Sequence, residues 1–359
     1  MMTSTPAQSH IHAALHRCVK HVTGNAARAH IPEFESLFAE CRSGMETDSE
    51  KMLGYLILKT LNRNVQSRSI SDNLYLSRNG IAQIQLFNTL IRKFPFVQFS
   101  QQIANNMIVN AMRGKEAVTL IDIGIGQGTQ VAAIIQLAKR LTTLKRLTVV
   151  GIEPFTDALK TAELMVLSKQ DECAFALDFV AVHGFAEDTD FEAFRSYGGS
   201  IIVNASLALH HIQMDEARTE TLARIKALNP EAFILTEPDV DHFETDLDRR
   251  FQNCYRHFLH IFRVIDTLDA SQESKNELKL FFGREIEDIL GKEEIQRFEK
   301  HEPAKRWATR LKACKFDLNN RYISFPLVTE ADVHIQPHHD GYLGFSYQKE
   351  NILAVFYAN

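Results

Sequence analysis

The chain has 359 residues, 45% of them hydrophobic and 24% charged, which is the balance of a folded protein of about two domains, or one large domain with a cap, and excludes a largely disordered chain. Forty basic residues against 45 acidic ones leave a net charge of −5, which argues against a dedicated nucleic-acid binder, whose phosphate contacts need a basic surplus. The five cysteines, Cys18, Cys41, Cys173, Cys254 and Cys314, fit neither a zinc spacing nor a disulfide framework, and no apolar run approaches the ~20 residues that span a bilayer, so a cytoplasmic protein with no membrane partner is expected.

The opening segment MMTSTPAQSHIHAALHR has no apolar core of a secretory signal. Apolar residues at three- and four-residue spacing then predict helices over Ile11–Val22, Pro32–Ala39, Glu46–Leu61, Gly80–Lys93 and Ser100–Met112, with the polar stretch Asn62–Asn79 as a loop. At Ala117 the pattern changes. Val118–Ile123, Leu147–Ile152, Asp178–Val182, Ser200–Asn204 and Ala232–Glu237 are apolar at nearly every position, as strands buried on both faces are. Helical patterns over Thr129–Leu141, Thr156–Ser168, Asp188–Arg195 and Asp215–Leu228 separate or follow them. Such alternation predicts a doubly wound, mostly parallel α/β sheet. Residues 243–314 read as helical again, with Phe251, Tyr255, Phe258 and Phe262 on an aromatic helix face. Tyr342–Tyr347 and Ile352–Tyr357, separated by QKEN, predict a closing antiparallel hairpin. The expected organisation is an N-terminal helical cap (1–115), a Rossmann-like core (116–242), a helical insertion with a return helix (243–314) and C-terminal strands that complete the sheet (315–359).

The sharpest local signal is LIDIGIGQGTQ, residues 120–130. A strand ends at Asp122, Gly124, Gly126 and Gly128 follow at two-residue spacing, and a helix begins. Glycine allows a tight turn and the close approach of a ligand to backbone, and the first βα turn of such a sheet lies where ligands bind. The spacing differs from the G-x-G-x-x-G of dinucleotide folds, which disfavours a nicotinamide oxidoreductase. It resembles motif I of class I S-adenosylmethionine-dependent methyltransferases. Three further strand ends fit that likeness. Glu153, closing strand two, can accept from both ribose hydroxyls of an adenosine, or stand as an acid at a helix start. In HGFAED, Glu187 and Asp188 match the segment that meets an adenine amino group, or Asp188 caps the next helix. Asn204 opens the segment after strand four that passes the methyl donor.

Candidate chemistry gathers at strands four and five. His210, Glu237 and His242 are the expected catalytic groups, although histidines at a helix start are commonly satisfied ones. Asp239, Arg250, Tyr255 and Arg310 are expected to face substrate; the two arginines serve equally to tie the insertion to buried carboxylates. Trp307 reads as core, or as one wall of a pocket. His334, His338, His339 and Asp340 fit no standard ligand spacing, and no metal is expected.

Several motifs in order carry a more specific likeness. IDIGIGQGTQ, LTVVGIEP, VNASLALHHI and NPEAFILTEPDVDHFETDLDRRF resemble, in turn, the VHIID motif, the strand-two motif that follows it, the second leucine-rich segment and the PFYRE region of GRAS-domain proteins, and FFGREIEDIL, RFEKHEPAKRWATRLKACKF and YLGFSYQKENILAVFYAN resemble their SAW region. The likeness runs from about residue 10 to the end. It implies a class I methyltransferase-like sheet with a helical cap. In it Glu237, His242 and Arg250 match family positions, as do Arg284, Glu285, Glu299, His301, Trp307 and Arg310. Plant members, known as transcriptional regulators, typically carry Asp at the place of Gly124 and Trp at that of Val131, and precede the domain with a long disordered arm. The intact glycines and the short polar start point to the enzyme-like bacterial branch. The expected function is therefore methyl transfer from S-adenosylmethionine to a small, partly apolar molecule held under the cap. A non-catalytic small-molecule or protein-interaction module is the alternative. Expected partners are the substrate and, as an option, a second copy in a homodimer, with no nucleic acid.

Overall fold

A computed structural model of the chain describes residues 9–23, 32–65, 94–318 and 332–359. The expected helix Gly80–Lys93 and the loop from residue 66 onward lie outside them. The chain divides into two compact units, Met1–Phe94 with Val240–Lys300 and Pro95–Asp239 with His301–Asn359. Residues 95–115 and 301–314 thus fall with the sheet rather than with the cap and insertion to which sequence patterning assigns them.

The second unit is built on one sheet. Strands β1 (Ala117–Ile123), β2 (Arg146–Glu153), β3 (Ala176–His183), β4 (Ser200–Ser206) and β5 (Ala232–Pro238) are followed by β6 (Val333–His338), β7 (Tyr342–Tyr347) and β8 (Glu350–Ala358). Their spatial order is β3-β2-β1-β4-β5-β8-β7-β6. The first five run parallel and the last three antiparallel. This is the doubly wound, mostly parallel Rossmann-like sheet with a closing antiparallel hairpin that the sequence predicts. On one face Ile121, Val203, Leu235 and Phe356 join a core with Trp307, which is fully buried. On the other, helix Pro95–Met112 buries Ile103, Met107 and Ile108 and packs on β4, β5 and β8. Helix Thr129–Ala138 packs beside it, and helix Thr156–Leu167 covers β2 and β3.

Two elements differ from expectation. Residues 188–195 form no α-helix; two 3₁₀ turns, Ala186–Asp188 and Phe191–Tyr197, take their place. A three-residue turn puts Phe191 and Phe194 on one face, and both are buried. The second difference is β6, a strand that sequence patterning does not predict and that contains Pro337. It is the outermost strand of the sheet, where proline's missing N–H leaves no ladder bond unmade.

The first unit contains helices His10–Thr23, Pro32–Gly44, Ser49–Val65, Leu247–Asp266, Gln272–Phe281 and Gly283–Gly291. The long one, Leu247–Asp266, starts on a true cap, the Asp246 carboxylate accepting from the Arg249 N–H. It buries the predicted aromatic series Phe251, Tyr255, Phe258 and Phe262. Among the described residues no helix is long and apolar enough to cross a membrane.

Candidate functional site

The carboxyl ends of β1 to β5 carry most of the residues singled out by the sequence. After β1 the chain turns through Gly124, Gly126 and Gly128 at φ of +72°, +54° and +78°, a region that residues with a Cβ enter at a cost of about 1–2 kcal/mol. Two of these glycines are needed for packing. A Cβ on Gly124 would stand 2.7 Å from that of Ala208, and one on Gly128 would stand 3.0 Å from the Ala162 Cα. Gly126 differs, since nothing lies within 4 Å of the place its Cβ would take. The turn is held by its own amides: Gly124 and Ile125 donate to the Ile152 carbonyl at 2.9 and 3.2 Å.

Glu153 meets this turn from β2. Its Oε2 accepts the Gly126 N–H at 3.0 Å and its Oε1 accepts the Phe155 N–H at 3.2 Å. The side chain is buried, so the carboxylate is fixed in place, and each oxygen keeps a second lone pair. Two aromatic rings that the sequence reading passed over flank this edge. Phe155 and Phe185, just beyond the ends of β2 and β3, are 72% and 50% exposed. Glu187 is half-buried and Asp188 exposed, in a turn anchored by Arg224, which donates to the carbonyls of Glu187 and Thr189.

Beneath the turn a buried polar chain crosses the sheet. Asn204 donates to Asp122 Oδ1 at 3.4 Å and to Gln130 Oε1 at 3.5 Å, and Gln130 donates to Asn105 at 3.0 Å. Parallel register places Asp122 directly beside Asn204. Burial pushes the Asp122 carboxyl up to about 7; the nearby Glu153 charge acts the same way, against the Asn204 hydrogen bond. The Asn204 Oδ1 is buried and accepts no hydrogen bond, an unmet need that a ligand donor or an ordered water would fill.

The tips of β4 and β5 bring together His210 and Glu237, two of the three residues expected to be catalytic. His210 Nδ1 lies 2.6 Å from Glu237 Oε2. The other oxygen, Oε1, accepts the N–H groups of Leu209 at 2.8 Å and Ala208 at 3.3 Å. Burial works to raise the Glu237 pKa, yet the His210 charge and hydrogen bond outweigh it and hold the carboxyl below its ordinary value. The His301 ring stands 4.3 Å from that of His210, and Arg218 donates to the His210 carbonyl at 2.6 Å. Leu207, which leads into this turn, sits at φ +56°. A bulky residue there stores strain, as turns at functional sites often do.

The third expected catalytic residue, His242, belongs to the helical unit. It is fully buried and stacked on Phe258 at 6.0 Å, and its carbonyl accepts from Arg297 at 2.7 Å. The four residues expected to face substrate each make polar contacts within the protein, although the buried Arg310 Nε has no hydrogen-bond partner. Arg250 donates to the carbonyls of Ile289, Glu244 and Thr245 at 2.8, 2.7 and 3.0 Å. Tyr255 donates its hydroxyl to Glu50. Asp239 accepts the Ala304 N–H at 2.7 Å and so caps the helix Ala304–Ala313. Arg310 bonds Glu302 and Asp215, each at 2.7 Å. These are ties within each unit, and several of them, to Ile289, Glu50, Ala304 and Asp215, join residues 39 to 205 positions apart, which no isolated stretch of sequence reveals.

With this geometry in place, likenesses to known proteins can be weighed. The GRAS domain family model matches residues 11–354. Protein SLENDER RICE1-LIKE 1 of Oryza sativa subsp. japonica is 29% identical over 238 residues, covering 63% of this chain and 48% of that protein. The Scarecrow-like transcription factor PAT1 of Arabidopsis thaliana is 26% identical over 282 residues, covering 72% of this chain and 57% of that protein. The chain thus spans about half the length of these curated relatives. The crystal structure of SCL7 from Oryza sativa superposes with a TM-score of 0.77 at 20% identity, covering 98% of this chain and all of that one, which establishes a shared fold.

Proposed function

The chain belongs to the GRAS domain family, and on that premise we propose that it binds S-adenosylmethionine over its glycine turn and methylates a small, partly apolar molecule, as an enzyme-like member of the family. One observation carries the reading: Gly126, in a left-handed conformation, turns a bare backbone toward open space beside the buried Glu153 carboxylate. The buried Asn204 Oδ1 with no donor supports it. Glu153 would accept from ribose hydroxyls, Glu187 or Asp188 from the adenine amino group, and Phe155 and Phe185 offer faces for a flat heterocycle. When bound, S-adenosylmethionine would supply an electrophilic methyl carbon.

The protein's own part is positioning and proton handling. Glu237 holds His210 through Nδ1 at 2.6 Å, which fixes the orientation of that ring. Such a pair takes a proton from an acidic acceptor and keeps the resulting imidazolium paired with a carboxylate. A small-molecule partner, in a protein that lies in the cytoplasm and binds neither membrane nor nucleic acid, belongs to the same proposal.

Calorimetry with S-adenosylhomocysteine tests the reading. Binding is expected, with Glu153→Ala weaker by at least about tenfold, the loss of two charge-assisted hydrogen bonds. No binding at about 1 mM ligand would overturn it. It would favour the second reading, a non-catalytic interaction module, for which the transcription-factor relative is the supporting observation.

A further inference from the structure

We propose that the turn joining β6 to β7 is a site for a divalent transition metal, with His338, His339 and Asp340 as its protein ligands. Each side chain offers one ligand atom, and the three atoms lie within 4.8 Å of one another. His338 Nδ1 stands 3.5 Å, and His339 Nε2 3.7 Å, from the same oxygen, Asp340 Oδ2. Donors bound at about 2.1 Å to one tetrahedral ion are roughly 3.4 Å apart. Both nitrogen–oxygen edges are therefore within a few tenths of an ångström of coordination geometry before any ion arrives.

Three further features distinguish this cluster from an ordinary polar turn. Asp340 Oδ2 is buried and accepts no hydrogen bond, and a cation would meet that need. The His338 Nδ1 meets the Asp340 N–H at 3.3 Å, so the ring is already turned toward Asp340, and an ion would take the single Nδ1 lone pair in place of this long contact. The ligands are also held. The His338 ring lies flat on Tyr342, with centroids 4.5 Å apart and planes at 14°, and Tyr342 is buried. Gly341 donates to the His338 carbonyl at 3.0 Å, closing a four-residue β-turn between two paired strands. Of the three, only His339 is largely exposed, at 82%.

Two imidazoles and one carboxylate suit zinc, nickel, cobalt or copper rather than magnesium or calcium. Tyr342 pairs with Phe356, and Phe356 with Leu235, so the turn continues toward the amino end of β5, away from the glycine turn. The site is thus separate from the one proposed for the cofactor. Sequence spacing misses it because the usual patterns assume ligands one helical turn apart, whereas a β-turn aims adjacent side chains at one point.

Zinc titration of the chelator-treated full chain, followed by calorimetry at about pH 7.5, where imidazole is neutral, tests the assignment. The expected result is one high-affinity ion per chain. His339→Ala and Asp340→Asn should each weaken binding by at least about tenfold, whereas His334→Ala, on the same strand but outside the cluster, should not. Cobalt in place of zinc should show ligand-field bands that vanish in the two variants. His339 is exposed, so its removal leaves the fold intact, which an unchanged melting temperature without metal would verify. Absence of binding below about 1 mM zinc overturns the assignment. So does full-strength binding by both variants, which would put the ion elsewhere.

Discussion

Asp122 illustrates how far one side chain departs from what its identity alone implies. The sequence marks it as the end of a strand. The fold buries it, beside Glu153 and with one long hydrogen bond from Asn204, and lifts its pKa well above the ordinary carboxylate range, to about 7. A carboxyl whose pKa is higher in the folded state than in the unfolded one favours folding only while protonated. Its contribution is complete below about pH 4 and is lost as pH rises toward 7. Asp122→Asn should therefore melt close to the parent protein at pH 4–5 and clearly above it at pH 8. The difference there has an upper bound of about 4 kcal/mol, the value of three pKa units. A melting difference that does not grow with pH, followed by circular dichroism, would contradict this account.

At the scale of an element, the glycine turn separates two demands that the sequence merges. Gly128 must be glycine for both conformation and contact, since its φ is +78° and the Ala162 backbone stands 3.0 Å from a would-be Cβ. Gly126 must be glycine for conformation alone, because the space beside it is open. Gly128→Ala should then cost about 2–4 kcal/mol in chemical denaturation, strain plus overpacking. Gly126→Ala should cost about 1–2 kcal/mol and still abolish S-adenosylhomocysteine binding by filling the cradle. Equal stability losses, or undiminished binding by Gly126→Ala, would show that the turn does not divide in this way. The element that patterning misassigned follows a similar logic. Residues 188–195 carry helix formers, but Phe191 and Phe194 are both buried at a spacing of three, and Gly198 and Gly199, at φ of +71° and +77°, end the segment before an α-helix can form.

Across the whole molecule, the strand order sets an expected gradient of protection. β1 and β4 lie between paired parallel strands, whereas β3 and β6 are the two edges of the sheet. β3 also leaves Ala176, Asp178, Ala181 and His183 exposed. Amide hydrogen exchange should be slowest in β1 and β4 and fastest in β3 and β6, because edge strands open without disrupting the centre. Saturating zinc should slow exchange in β6 if its turn binds the ion. Uniform exchange across the sheet would contradict the topology.

The sequence by itself determined the order and type of most elements. Runs with apolar residues at nearly every position form strands, and helices between them have to cross over, so the alternation from Val118 onward could form little but a doubly wound sheet; burial on both faces holds for β1, β2, β4 and β5 but not for β3, which lies at an edge. It also placed the glycine turn and Glu153 at neighbouring strand ends, since the fold type alone brings those ends together. Tertiary structure decided what each polar group meets. His210 and Glu237 are 27 positions apart and form one pair only because β4 and β5 are adjacent and the turn after β4 folds back over the tip of β5. Asp239 and Arg310 look like ligand groups in a linear reading; in the fold Asp239 accepts the Ala304 N–H and Arg310 pairs with Glu302 and Asp215. Hydrophobic periodicity is a local property that survives in one dimension. Hydrogen-bond partners and burial depend on which remote segments pack together, and that is specified only once the chain has closed on itself.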